Sequence, residues 1–387
     1  MSKKSVAIVS LALVAALAAA LLFSLRPSAS RQVSSENSPT VQVGTFSSTL
    51  NSAWTDCAAR PSQSPTGGAT AQRSPVVYCF LDTIPALDDV PLREIMEGMN
   101  ALARQNPEFS RVCHQIKHSV AERLYEPSRL RDLIVSDDNT CFWGLSHGAI
   151  AEFTESADEE EFWRILPTLC DDLTSPGHTE SCSHGLGHAI VMRVQKTIFE
   201  AEPHCAKVPQ VSQHACVEAV IMSYSDGEAS QNEGVDIKLE PLPDELVDTM
   251  CLRFSDVSKR ECWSALWSFY PKDMPLDKLA QRAYTACSKA TEDFAVSCVN
   301  GVGEAMMWRS LRPDGAIAAF EEGVRICKTL PDTAHATCIG GVAHSTPNAW
   351  FEDYQSLDEF PDICAQFTGA VKEECTEGID AFMEMFE

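Results

Sequence analysis

The sequence predicts an all-α fold in which roughly seven αα-hairpin repeats stack as a solenoid, with one disulfide stapling each repeat. Three observations predict this fold class. The chain has 16 cysteines, and beyond residue 79 their spacing becomes regular. The segments after the second cysteine of each pair align without gaps. The stretches before several first cysteines have the apolar spacing of amphipathic helices.

The amino terminus has the features of an export signal. Lys3 and Lys4 precede an apolar run, Val6 to Leu25, that is long enough to cross a bilayer. We interpret residues 1–25 as an uncleaved signal-anchor helix in the inner or plasma membrane, with the rest of the chain periplasmic or on the cell surface. Cleavage near Ser28–Ser30, which would release a secreted protein, is the alternative.

The next segment, residues 26–78, is rich in Ser, Thr, Pro and Gln and lacks helical periodicity. We interpret it as a linker between the membrane and the folded part. Cys57 and Cys79 are candidates to close a loop across its second half. The predicted repeat domain then covers residues 79–387.

The charge of the chain limits its partners. Its net charge is −25, and residues 1–31 contain basic but no acidic side chains, so the exported part is more acidic still. Such a surface repels nucleic acid and anionic lipid headgroups. It attracts cations or a basic protein partner. Most of this charge, however, is explained by its contribution to solubility.

The cysteines are expected to be oxidised, because exported chains form disulfides and every cysteine lies beyond the apolar run. The sequence has no CxxC or CxxCH, which argues against a zinc ribbon, a thioredoxin-type site and covalent haem. The spacing predicts local pairing, 11 residues apart in five of the pairs. The expected pairs are Cys113–Cys141, Cys170–Cys182, Cys205–Cys216, Cys251–Cys262, Cys287–Cys298, Cys327–Cys338 and Cys364–Cys375.

A second regularity follows the second cysteine of each pair. When that cysteine is counted as the first place, the fifth place is always Leu, Val or Ile, and the fourth is always small. A small residue at a fixed place on a helix predicts close approach of a neighbouring helix. The fourth-place residues are Gly144, Gly185, Ala219, Ala265, Gly301, Gly341 and Gly378.

This organisation resembles that of disulfide-stapled Sel1-like and tetratricopeptide-like repeat proteins. The resemblance implies stacked helical hairpins. The motifs depart from the consensus patterns of those families, so the resemblance concerns organisation alone.

Five of the ten histidines fall on three consecutive predicted helices: His114, His118, His147, His184 and His188. Histidines four residues apart share one face of a helix and can bind one metal ion. His147 and His188 both occupy the seventh place, where stacked repeats would bring them together. We therefore expect these five residues to form a metal site, and we interpret His178, His204, His214 and His335 as surface residues and His344 as structural.

Neutral imidazole suits copper, zinc, iron and nickel. Met192 and Met222 lie near these histidines in the pattern and favour copper slightly. A non-covalent haem held between helices by two histidines is a further possibility.

Three functions remain open at this point. The first is a membrane-anchored protein that binds a transition metal or haem through the histidines. The second is a protein-interaction scaffold whose histidines only pack and form hydrogen bonds. The third is a metal-dependent oxidoreductase or hydrolase, with Glu218 or Glu152 as a base. The sequence shows no nucleophile elbow, phosphate loop or paired acid motif, so nothing identifies a substrate.

Overall fold

The computed structural model describes residues 43–384, apart from 60–74, 84–86, 88–89, 226–243, 271–273, 312–314, 355–356 and the single positions 139, 172, 174, 196 and 358. All regular secondary structure in this part of the chain is helical, as predicted. None of the helices found there is both long enough and apolar enough to cross a bilayer. The predicted signal-anchor, residues 1–25, lies outside the described residues.

The α-helices are numbered here in chain order. They are α1 Val43–Ala58, α2 Pro75–Thr83, α3 Leu92–Gln105, α4 Pro107–Leu124, α5 Leu130–Ser136, α6 Gly144–Ser156, α7 Glu159–Ile165, α8 Pro176–Val194, α9 Ile198–Ala201, α10 Gln213–Ser225, α11 Asp244–Val247, α12 Asp256–Phe269, α13 Leu276–Cys287, α14 Glu292–Ser310, α15 Ala316–Cys327, α16 Asp332–Tyr354 and α17 Ala370–Met383. Short 3-10 turns lie between them, at Pro127–Arg129, Leu166–Thr168, Glu202–Lys207, Gln210–Ser212, Met250–Arg253 and Ile363–Gln366.

The range predicted as a linker, residues 26–78, includes α1 and the start of α2. Phe46, Leu50 and Trp54 of this helix are buried in the core, and Trp54 meets Phe80 and Phe109 edge-on. These apolar residues recur every four positions and form one buried stripe of a helix. Ser, Thr and Asn residues separate these apolar residues, so the composition of the segment does not indicate the stripe.

Eight disulfides join all sixteen cysteines, and Cys57–Cys79 is one of them. The other seven have the local pairing that the spacing predicts. Each repeat-like unit therefore carries one disulfide, as predicted. A chain with this many disulfides belongs in an oxidising, extracytoplasmic environment.

Seven helices form the centre of the fold, and we call them the row helices: α4, α6, α8, α10, α12, α14 and α16. Each contacts the next in this order, and α17 packs on α16. Helix α16 also contacts α4, and Phe351 meets Phe142, just before α6, at 5.5 Å between ring centroids. An extended solenoid leaves its first and last helices apart. The open solenoid is therefore not confirmed, because the row closes on itself.

The fourth-place glycines allow the row helices to touch through their backbones. A Cβ atom on Gly301 would overlap the carbonyl oxygen of Ser264, and one on Gly341 would overlap that of Asn300. Ser264 and Asn300 are the third-place residues of the preceding row helices. The close approach predicted from the small residues is thus present, and it fixes how neighbouring helices are placed.

Gly303 provides a test of this packing. We expect Gly303→Ala to lower the free energy of unfolding by about 1–3 kcal/mol, because its Cβ would overlap the Cys338 carbonyl oxygen and crowd the Val342 amide. Gly340→Ala is the control, since its Cβ would lie 3.1 Å from the nearest atom, Glu374 O. Chemical denaturation with intact disulfides measures both. Equal stability of the two variants would contradict the packing argument.

Candidate metal centre

Helix α4 places two histidines on one face. The Asn106 side chain accepts a hydrogen bond from the Phe109 amide and Pro107 occupies the first turn, so the start of the helix is well defined. His114 and His118 follow one turn apart. Their Nε2 atoms lie 3.1 Å from each other.

The backbone before α6 orients the first of these rings. His114 Nδ1 lies 3.0 Å from the carbonyl oxygen of Cys141, so Nδ1–H donates and the lone pair is on Nε2. Cys141, Phe142 and Trp143 all have left-handed backbone conformations, with φ of 61°, 49° and 49°. Each non-glycine residue in this conformation costs on the order of 1 kcal/mol, and such strain concentrates at functional sites.

Helix α6 brings His147 against this pair. Its ring centroid lies 5.3 Å from that of His114 and 5.8 Å from that of His118. One ring nitrogen from each of the three residues lies within 4.8 Å of the other two. His147 Nε2 lies 2.8 Å from the carbonyl oxygen of Ser181, on α8, which favours the tautomer with its lone pair on Nδ1. We call these three residues the histidine triad.

A buried ion pair between α4 and Asp137, at the end of α5, is linked by a hydrogen bond to α6. Lys117 Nζ on α4 lies 3.1 Å from Asp137 Oδ1, and both side chains are fully buried. Asp137 Oδ2 accepts a hydrogen bond of 2.8 Å from the amide of Ser146, the residue before His147. This network sets the distance between His147 and the pair on α4.

Two members of the triad, His114 and His147, have lowered pKa values and are uncharged at neutral pH. Burial lowers the pKa of His114, although its hydrogen bond to Cys141 acts in the opposite direction. Burial, reinforced by the neighbouring imidazoles, lowers the pKa of His147 well below its ordinary value. Neutral imidazoles present lone pairs and bind metal ions without first losing a proton.

His184 and His188, on α8, continue the cluster without joining the convergent group. The ring of His184 stacks on that of His147 at 5.7 Å, and the ring of His188 lies 4.8 Å from that of His184. The five predicted residues thus form one chain of ring contacts across α4, α6 and α8. Three of them converge and two extend the chain.

The sequence-based view of the other histidines needs one correction. His178 was expected at the surface, but it is buried, with Nε2 3.4 Å from Ser146 Oγ and its ring stacked on Trp143. His344 Nδ1–H donates a hydrogen bond of 3.1 Å to the carbonyl oxygen of Gly378, which fits the expected structural role. Met192 is buried at 6% exposure and acts as a core residue.

Acidic side chains lie on the row helices beyond α8. Glu218 on α10 places Oε2 3.7 Å from His184 Nδ1, and its side chain is 48% exposed although the surrounding helices desolvate it. Glu304 on α14 lies 3.5 Å from Ser264 Oγ. Glu152, the other candidate base, lies close enough to Tyr125 to affect its titration. Glu218 occupies the third place of its repeat, and Glu304 occupies the seventh place of a later repeat. The register of the repeats therefore identifies both positions.

The position of Glu304 predicts a pH dependence of stability. Burial, helped by Glu218 and Glu261 against the opposing effect of His344, raises the pKa of Glu304 from 4.5 to about 7. A raised folded-state pKa stabilises the fold below pH 4.5, and that contribution disappears as the pH rises through about 7.

We therefore expect Glu304→Gln to be more stable than the parent chain at pH 8, by about 1–2 kcal/mol after allowance for solvent screening. The advantage should shrink as the pH falls toward 4.5. Denaturant unfolding at several pH values measures it. The exposed Glu155 provides the control, Glu155→Gln, and an equal effect of both changes would contradict the assignment.

No protein-family model, curated protein or solved structure matches this chain, so its function has to be argued from the geometry of its own residues.

Proposed function

We propose that this chain is an extracytoplasmic metal-binding protein, anchored to the membrane by residues 1–25, that holds one transition-metal ion in the triad of His114, His118 and His147. The convergence of three imidazoles from two helices carries this proposal. The eight disulfides support the compartment. The membrane anchor rests on the apolar run of the sequence.

The spacing of the ring nitrogens suits a single ion. The 3.1 Å between His114 Nε2 and His118 Nε2 equals the span of two metal–nitrogen bonds of about 2.0–2.1 Å that meet at roughly 100°. Two axial haem ligands would stand about 4 Å apart, on opposite sides of the iron. This pair is therefore arranged for a mononuclear ion in preference to haem.

The surroundings of the triad also suit coordination. Metal-bound histidines usually donate their second ring nitrogen to a carbonyl or carboxylate, which fixes the tautomer. The Cys141 carbonyl has this relation to His114, and the Ser181 carbonyl has it to His147. Zinc, copper and iron all accept such a ligand set. Three protein ligands would leave a fourth position of a tetrahedral ion for water or a substrate.

Metal content tests this proposal directly. The full-length chain, with its disulfides oxidised, is stripped with a chelator and dialysed against Zn²⁺, Cu²⁺ or Co²⁺ in turn. We expect tight binding of at least one of these ions, and loss of about one equivalent in His114→Ala/His118→Ala. Elemental analysis of the dialysed protein gives the stoichiometry, and circular dichroism shows whether the variant folds.

His204→Ala/His335→Ala is the matched control, since it removes two histidines that lie outside the cluster. His204 stacks on Trp163, and His335 contacts the Leu330 carbonyl. This variant should keep the full metal content. The proposal is overturned if the parent chain binds none of the three ions, or if the triad variant binds as much as the control.

The scaffold function is supported by one specific observation. His147 is already paired with Ser181, and His114 with Cys141 and His118, so these rings are satisfied within the fold. A metal-free parent chain would favour this reading. The acidic surface would then direct the search toward a basic protein partner.

A further inference from the structure

Beside the triad, we infer a second, separate cation position formed by His184, His188 and Glu218. The inference rests on the proposed function for the first ion and adds the second. The three residues come from α8 and α10, the two row helices that follow the triad. They are the nearest continuation of the chain of imidazole rings.

The contact between His184 and Glu218 is of the right length for an intervening cation. His184 Nδ1 and Glu218 Oε2 lie 3.7 Å apart, which is too long for a good direct hydrogen bond. Two metal–ligand bonds of about 2.1 Å that meet at roughly 120° span this distance. The Glu218 side chain is 48% exposed, so its carboxylate has room to adjust around an ion.

The tautomer of His188 supplies the third ligand. Its Nδ1 lies 2.7 Å from Ser223 Oγ. That hydroxyl donates its own hydrogen to the Ala219 carbonyl, at 2.9 Å, so it must accept from Nδ1–H of His188. The lone pair of His188 is then on Nε2. His184 and His188 are four residues apart on α8, the spacing with which two histidines on one helix share an ion.

The charge around this position favours a cation. Glu261 and Glu304, on the next two row helices, interact electrostatically with Glu218. The surface that continues from His184 onto α10, α12 and α14 is therefore acidic.

The two positions are joined by the stacked rings of His147 and His184. Their ring centroids lie 5.7 Å apart, so each position has its own ligands.

Counting Zn²⁺ bound to the full-length oxidised chain tests this inference. We expect about two equivalents in the parent chain, about one in Glu218→Gln, and about one in His114→Ala/His118→Ala. Glu218→Gln is chosen because the side chain is half exposed and the change is isosteric. Glu180→Gln is the control, because Glu180 lies on the same helix as His184 but pairs with His214 at 3.4 Å. It should keep about two equivalents.

One equivalent in the parent chain, lost only in the triad variant, would leave the proposed function standing and overturn the second position. Two equivalents that Glu218→Gln does not change would place the second ion elsewhere and also overturn it. Absence of binding would overturn both.

Discussion

Reduction of the disulfides should unfold this protein. Six of the eight bridges close loops of about a dozen residues, and each contributes roughly 2–3 kcal/mol in the chain-entropy model. The other two join cysteines 22 and 28 residues apart, and the eight together exceed the 5–15 kcal/mol by which ordinary domains are stable. The units have short first helices, such as the four-residue α9 and α11, and these bury little apolar surface alone. The bridges therefore hold the first element of several units against the row helices.

The measurement is far-ultraviolet circular dichroism at neutral pH, before and after treatment with dithiothreitol. Alkylation and intact mass confirm that all thiols have been released. We expect loss of most helical signal and of the cooperative thermal transition. A single replacement, Cys287→Ala/Cys298→Ala, should lower the free energy of unfolding by only about 2–3 kcal/mol and leave the fold intact. A fully reduced chain that still melts cooperatively would show that the core suffices without the bridges.

The repeat architecture could be predicted from the sequence because its signals are local. The pairs Cys205–Cys216 and Cys251–Cys262 lie 11 residues apart, and a short separation leaves few alternative partners. The contact of α16 with α4 could not be predicted in the same way. It depends on small angles between successive helices that add up over seven units. No single residue encodes that sum.

The sequence could indicate which residues belong to the candidate site, but it could not indicate how those residues are arranged. Period and register selected five histidines, and the structure places all five in one chain of rings. Which three converge depends on the left-handed turn at Cys141–Trp143 and on the approach of α6 to α4. Phe142 and Trp143 show no sequence preference for that conformation, so neither could have been identified in advance. The sequence makes Glu218 a candidate base in register with His184, but the distance between the two side chains depends on the packing of α8 against α10.

The largest effect of a single substitution is expected at Asp137. Lys117 Nζ is fully buried, and its partners are the carboxylates of Asp137 and Asp138 and the carbonyl of Thr140. Asp137→Ala removes the one fully buried partner charge and also leaves the Ser146 amide without its acceptor. Breaking a buried ion pair from one side costs about 3–5 kcal/mol. We expect a loss of this size in denaturant unfolding with intact disulfides.

A double-mutant cycle separates this cost from simple loss of packing. Lys117→Met removes the buried ammonium, so the double variant Lys117→Met/Asp137→Ala should lose clearly less stability than the sum of the two single changes. Glu97→Ala, which breaks the exposed pair with Arg93, should have little effect. Additive losses in the cycle would show that Lys117 and Asp137 do not depend on each other.

The same ion pair connects stability to the proposed metal centre. Lys117 lies between His114 and His118 on α4, and Asp137 holds the amide next to His147. A conservative change, Asp137→Asn, keeps an acceptor for that amide but removes the fully buried charge that faces Lys117, and leaves only the half-exposed Asp138 carboxylate. The ammonium is then less well neutralised and opposes the binding of a metal cation by the nearby imidazoles, as the lowering of the His114 pKa by Lys117 indicates. Asp137→Asn should therefore weaken metal binding by roughly tenfold or more in chelator competition while the triad residues remain unchanged.

Lys117→Met in the same background should restore most of the affinity, because it removes the repelling charge. Failure of that restoration would mean that Asp137 acts on the triad through position alone.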